Sequence, residues 1–209
     1  MAVGQDGVAR CWWSGEDEAY RRYHDEEWGR PVGSDRELFE LLSLEGFQAG
    51  LSWLTILRKR EAFRRAFVDF EPEQVARFGP ADVDRLLGDA GIVRHRGKIE
   101  AVIGNARHAL DLPGGLGPLV WRFEASAHTG GDPDGPGRTT SPEATALSRE
   151  LKRAGWRFVG PTTVHAFLQA AGLVDDHVEG CHAGPSVKAD RQRFVRPTGR
   201  HRQPRRHDS

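Results

Sequence analysis

The 209-residue chain holds two cysteines, Cys11 and Cys181, and each lies near a histidine at opposite ends of the sequence. His24 follows Cys11 in "CWWSGEDEAYRRYH", and His177 precedes Cys181 in "VDDHVEGC". Thiolate and neutral imidazole are ligands that zinc favours, and four of them close a tetrahedral structural site. If the four share one ion, residues 11–24 must fold back onto residues 174–181, which excludes any open-ended topology. His177 and Cys181 are spaced i, i+4, as one helical turn allows, whereas Cys11 and His24 have to converge through a loop. On spacing alone, a shared metal and two unrelated buried cysteines are equally good readings. Four protein ligands leave no open position, so within the metal reading the site is structural rather than catalytic.

Two cysteines also argue against a secreted disulfide framework. Met1 to Arg10 lacks an apolar core, and no segment approaches ~18 uninterrupted apolar residues. Neither a signal peptide nor a membrane span is expected, and a reducing bacterial cytoplasm is the expected compartment. The formal charge is +0, so the overall balance announces neither a nucleic-acid nor a membrane partner. Between Lys188 and Arg206, however, eight Lys/Arg face a single Asp. That run reads as a basic, disordered tail over 186–209, following a single domain over 1–185.

The periodicity is helical almost throughout, and the expected fold class is all-α. Ser34-Asp35-Arg36-Glu37 has capping-box spacing and opens the run Leu38, Leu41, Leu42, with Gly46 as its expected stop. A second helix begins near Ser52, and "EPEQVARF" reads as a short helix with Pro72 in its first turn. "PADVDRLLGDAG" and "GKIEAVIGNARHAL" form one pair, and Glu143–Ala154 with Thr162–Ala171 form another around "GWRFVGP". The Gly- and Pro-rich stretch from His128 to Pro142 reads as an exposed loop.

At 100° per residue, Leu38, Leu41, Leu42, Glu45 and Ala49 share one stripe, which puts a carboxylate on an apolar helix face. A buried carboxylate needs donors or a functional reason; the plain alternative is a helix frayed by Glu45. Trp12, Trp13, Tyr20, Tyr23, Trp28 and Trp53 crowd the flanking segments, with Trp12 and Trp28 best read as core. An acceptor among aromatic plates is equipment for a planar, donor-bearing, cationic ring. In "FVGPTT", Gly160 permits close backbone approach and Pro161 suits a helix start, so amides there could take a DNA phosphate. "RHRGK" at 94–98 suits backbone contacts too, or a solvated corner.

"CWW", "YHDEEWG", "LFELLSLEGFQAGLSWLTILRKRE", "DAGIVRHRGKIEAVIGNA" and "FVGPTTVHAFLQAAGLVDDHVEGC" together closely resemble the DNA-3-methyladenine glycosylase I family, from about Arg10 to Cys181. The resemblance implies a helix-hairpin-helix glycosylase fold, two helical lobes with the base pocket at their junction. It implies one structural zinc held by Cys11, His24, His177 and Cys181, tying the N-terminal and C-terminal segments. Glu45 matches the family's pocket glutamate, the catalytic residue expected here. Trp13, Tyr20, Tyr23 and Trp53 match pocket aromatics, with Tyr23 and Trp53 as the stacking pair. Val159, Gly160, Pro161 and Thr162 match the hairpin that grips DNA, although Pro161 departs from the family's residue. The broader superfamily carries a catalytic Asp after this hairpin, which this family lacks. Asp175 occupies that neighbourhood and is read as a solvent-facing group orienting His177, with a restored catalytic carboxylate as the other reading.

The implied activity is monofunctional hydrolysis of the N-glycosidic bond of 3-methyladenine in alkylated double-stranded DNA, by a monomer with no nucleotide cofactor. None of the four lysines falls in the hairpin, so no Schiff-base chemistry is expected. The competing readings are a non-catalytic, zinc-stapled module for damaged DNA and a small-molecule zinc hydrolase.

Overall fold

The computed structural model describes residues 1–125, 131 and 137–199. Helices dominate them: α1 (Glu18–Glu26), α2 (Asp35–Gln48), α3 (Trp53–Ala66), α4 (Pro72–Val75) and α5 (Pro80–Gly88). They continue through α6 (Arg96–Asp111), α7 (Leu116–Trp121), α8 (Pro142–Arg153), α9 (Pro161–Ala170) and α10 (Gly184–Arg193). The all-α expectation needs one amendment. Strands β1 (Ala2–Val3) and β2 (Ala9–Arg10) pair antiparallel, Ala2 opposite Arg10. Two-residue strands are too short to show alternation in sequence.

Helix α2 is the hub, packing against α3, α6, α7 and α9. Ser34 caps it, its side chain accepting from the Glu37 amide. It does not stop at Gly46 but runs on to Gln48, because Gly46 is where the loop before α9 passes. A Cβ there would already touch Phe158 at 3.5 Å. Phe39, Leu42, Leu44, Glu45 and Phe47 are all buried, so neighbours cover the helix around most of its circumference. The single apolar stripe read from the sequence is therefore too narrow a description. The helix ends with Lys98 of α6, whose Nζ donates to the carbonyls of Phe47 (2.8 Å) and Ala49 (2.6 Å). Ser52 then caps α3 across a turn in which Gly50 has φ +84°.

The expected disordered tail is corrected over 186–199. Val187 of α10 is fully buried, and Asp190 pairs with Arg30. Phe194 packs on Trp121 at 4.6 Å, and Arg196 donates to both oxygens of Glu124. Those partners lie some 70 or more residues away in sequence, so local composition gave no sign of them. Residues 200–209 lie outside the described residues, as does most of the expected 128–142 loop. Among the described residues no helix is long and apolar enough to cross a membrane.

Candidate active site and metal centre

A cavity of about 260 Å³ opens beside α1, the second half of α2, the start of α3 and α9. Trp13, Tyr20, Tyr23, Glu45 and Trp53 all line it. Sequence reasoning missed Gln48, Gln169 and Asp176, which line it as well. Gln48 had a readable signal: it lies three residues beyond Glu45, on the same face of α2. Trp12 also lines the cavity and is 42% exposed, so it belongs to the rim rather than to the core. Trp28 is buried as expected.

Glu45 is 5% exposed, and its Oε2 has no hydrogen-bond partner among the described residues. Burial pushes its carboxyl up to about 8, so it is largely protonated near neutrality. Trp53 Nε1 is likewise buried without a partner. Two residues of one cavity lining thus each carry a buried polar atom with no partner among the described residues. Each costs on the order of 1–3 kcal/mol unless water or a ligand meets it.

The aromatic wall is angled. Tyr23 and Trp53 have ring centroids 5.4 Å apart at 45°, and Trp13 and Tyr20 are 5.1 Å apart at 51°. A base sandwiched between Tyr23 and Trp53 needs about 7 Å between parallel planes, twice a van der Waals separation. The expected stacking pair is therefore not a preformed slot, and a planar ligand has to lie against ring faces open to the cavity. Burial raises the Tyr20 and Tyr23 hydroxyls, which keeps the wall neutral.

Cys11, His24, His177 and Cys181 come together, their ligand atoms all within 4.8 Å of one another and all four residues buried. His177 and Cys181 lie not on a helix but in the irregular segment between α9 and α10. His24 sits in the last turn of α1. Its Nδ1 meets the Asp25 carboxylate at 2.7 Å and therefore carries the hydrogen, leaving the Nε2 lone pair 3.5 Å from Cys181 Sγ. His177 is set the other way round. Nε2 donates to the Trp28 carbonyl at 3.3 Å, and Nδ1 faces Cys11 Sγ (3.6 Å) and Cys181 Sγ (3.5 Å). Two imidazole lone pairs aimed at two sulfurs fit a tetrahedral zinc set. The hydrogen bond from the Cys11 thiol holds Cys181 low, while Cys11 is raised by that shared proton and by burial.

Asp175 is 6% exposed and accepts from the His177 amide at 3.4 Å, so it is not solvent-facing as expected. Asp176, not Asp175, lines the cavity, with Gln169 Nε2 donating to its Oδ2 at 2.7 Å. At the α8–α9 connection, Val159 is buried and its carbonyl is taken by Ser148 Oγ at 2.6 Å. Its expected role with DNA is thereby withdrawn from the side chain. Gly160 and Pro161 are half-buried and Thr162 is exposed, with no side chain capping α9. A Cβ on Gly160 would meet nothing within 4 Å, so the fold itself does not demand glycine there. In "RHRGK", Lys98 is committed to α2 and Arg96 pairs with Asp84, leaving Arg94 exposed.

The methyladenine glycosylase family matches residues 13–184, which leaves most of α10 and the segment after it outside the match. The chain is 46% identical over 191 residues to DNA-3-methyladenine glycosylase 1 of Escherichia coli, covering 87% of this chain and 100% of that protein. It is 42% identical to DNA-3-methyladenine glycosylase of Haemophilus influenzae, covering 83% and 97% respectively. A crystal structure of 3-methyladenine DNA glycosylase I superposes with a TM-score of 0.81 at 43% identity, covering 85% of this chain and all of that one. The Staphylococcus aureus enzyme, solved to explain its recognition of 3-methyladenine, gives 0.79 at 41% identity, covering 84% and 96%. Matched by the family over residues 13–184 and 46% identical to a curated member, the chain belongs to the methyladenine glycosylase family.

Proposed function

We propose that this chain is a monofunctional DNA-3-methyladenine glycosylase that hydrolyses the N-glycosidic bond of the methylated base in alkylated duplex DNA. One observation carries the reading. Glu45 and Trp53 line one aromatic cavity, and the buried Glu45 Oε2 and Trp53 Nε1 find no partner among the described residues. A planar, cationic ring bearing an amine donor and ring-nitrogen acceptors fits that arrangement.

The lesion leaves the duplex and enters the cavity, resting against the faces of Trp13, Tyr20, Tyr23 and Trp53. Glu45 gives up its proton to meet the positive charge and accepts from the exocyclic amine. N3-methylation has already weakened the bond to the sugar. Water adds at C1′ and loses a proton, while the electrons of the C1′–N9 bond leave with the base, which departs neutral. The products are free 3-methyladenine and an abasic site.

The α8–α9 pair serves as the helix-hairpin-helix element in a two-lobed glycosylase domain. The amides of Thr162 and Thr163 in the first turn of α9, which no side chain caps, take a phosphate beside Gly160, whose missing side chain lets the strand approach. Zinc, held by Cys11, His24, His177 and Cys181, supplies a structural cross-link between the two ends of the domain. The protein works as a monomer in the cytoplasm. Chromatography of bases released from methylated duplex DNA tests the reading. Wild type releases 3-methyladenine, and Glu45→Gln slows release roughly 10²-fold while folding and metal content hold. Equal release by both proteins removes Glu45 from the mechanism.

A further inference from the structure

The two histidines of the metal cluster are held by different kinds of group. His177 leans on a main-chain oxygen, that of Trp28, which no substitution of a side chain removes. His24 leans on the side chain of Asp25, and that carboxylate is itself held from three sides. Arg10 Nε lies 3.0 Å from both of its oxygens, and Arg10 Nη2 donates to Oδ2 at 2.9 Å. His182 Nε2 reaches Oδ1 at 2.8 Å from the far end of the chain. Arg10 has a side chain only 9% exposed, so this ion pair stands in a partly dry setting where its direction is fixed.

The arrangement has a chemical consequence for His24. An imidazole free to rotate or to change tautomer presents its lone pair toward the sulfurs only part of the time. With Nδ1–H fixed on a carboxylate at 2.7 Å, one tautomer and one ring orientation prevail, and Nε2 stays turned toward the sulfurs. We propose that Asp25 is the positioning residue of the metal centre, fixing His24 for zinc, and that Arg10 fixes Asp25 in turn. The proposal rests on the zinc reading of the Cys/His cluster. A purely mechanical role for Asp25, fastening β2 to α1 through Arg10, would stabilise the fold without altering how tightly the folded protein holds its ion.

The test uses the full-length protein, with zinc content measured as purified, affinity measured by competition with a chromogenic chelator, and the visible spectrum of the cobalt-substituted form. Wild type is expected to carry one zinc per chain. Asp25→Asn is expected to remain helical by circular dichroism, to bind zinc 10- to 100-fold more weakly, and to show shifted cobalt bands. Lys98→Met, which unsettles the end of α2 far from the cluster in sequence, is expected to keep wild-type affinity and bands. Wild-type affinity in Asp25→Asn overturns the proposal, as does equal weakening in Lys98→Met, which would reduce the effect to a general loss of stability. Absence of zinc from wild type, with none taken up on titration, instead overturns the zinc reading on which the proposal stands.

Discussion

At the residue scale, Glu45 is a group whose ionisation and whose burial oppose each other. Its folded value of about 8 lies above the ordinary carboxyl value of 4.5, so folding takes up a proton between those limits. The stability contributed by the protonated form is complete below about 4.5 and is lost as pH rises through 8. Glu45→Gln removes that dependence. Thermal melts are expected to give similar midpoints for the two proteins at pH 5, with the variant more stable by a few kcal/mol, to order of magnitude, at pH 9. A constant difference across that range would contradict the buried, unpartnered state of this carboxyl. Glu45 was legible in the sequence as a carboxylate in helical phase with leucines. Its true isolation was not, since that depends on no donor of α1, α3 or α9 reaching its Oε2, and periodicity cannot bring those three elements together. Asp175 and Asp176 failed in the same way: adjacent carboxylates look equivalent in a string, and only the path of the chain after α9 decides which one reaches the cavity.

At the scale of elements, two helix ends make opposite demands. The C-terminal carbonyls of α2 are met by Lys98, so this lysine is structural despite its place in a basic run. Lys98→Met is expected to cost on the order of 1–3 kcal/mol by denaturant unfolding and to leave DNA affinity of the folded protein unchanged. The N-terminus of α9 has no side-chain cap and open space at Gly160, where φ is −63°. Gly160→Asp should therefore add a cap and raise the unfolding midpoint slightly, since aspartate ranks above glycine there. The same negative charge faces the phosphate, so duplex binding by fluorescence anisotropy is expected to weaken. A gain in both would mean that DNA does not approach α9. Helices α2, α3 and α8, capped by Ser34, Ser52 and Ser141, and α9, opened by Pro161, were readable because these signals act locally. Helix α10 was hidden in a basic segment, since what orders it is the remote surface of Gly29, Trp121 and Glu124.

For the whole molecule, the Cys/His cluster joins residues 166 apart in sequence, Cys11 and His177. If the cluster holds zinc as proposed, stripping it with a strong chelator is expected to lower the melting midpoint by roughly 10 °C from a free-zinc level near 1,000 times its Kd, on the order of 4 kcal/mol. Base release should fall in parallel, because Trp13, Tyr20 and Tyr23 ride on the same segment as Cys11 and His24. Both ends of this cluster were visible as Cys/His pairs, but a string of letters does not say that they meet; a helical hub around α2 does. That closure also sets an order of events during synthesis. The aromatic side of the base pocket emerges from the ribosome first, yet its anchoring partners at 177 and 181 are among the last residues of the domain to be made. A nascent chain thus carries an unfinished pocket until residues 177 and 181 have been made, and it gains the means to excise bases only after that.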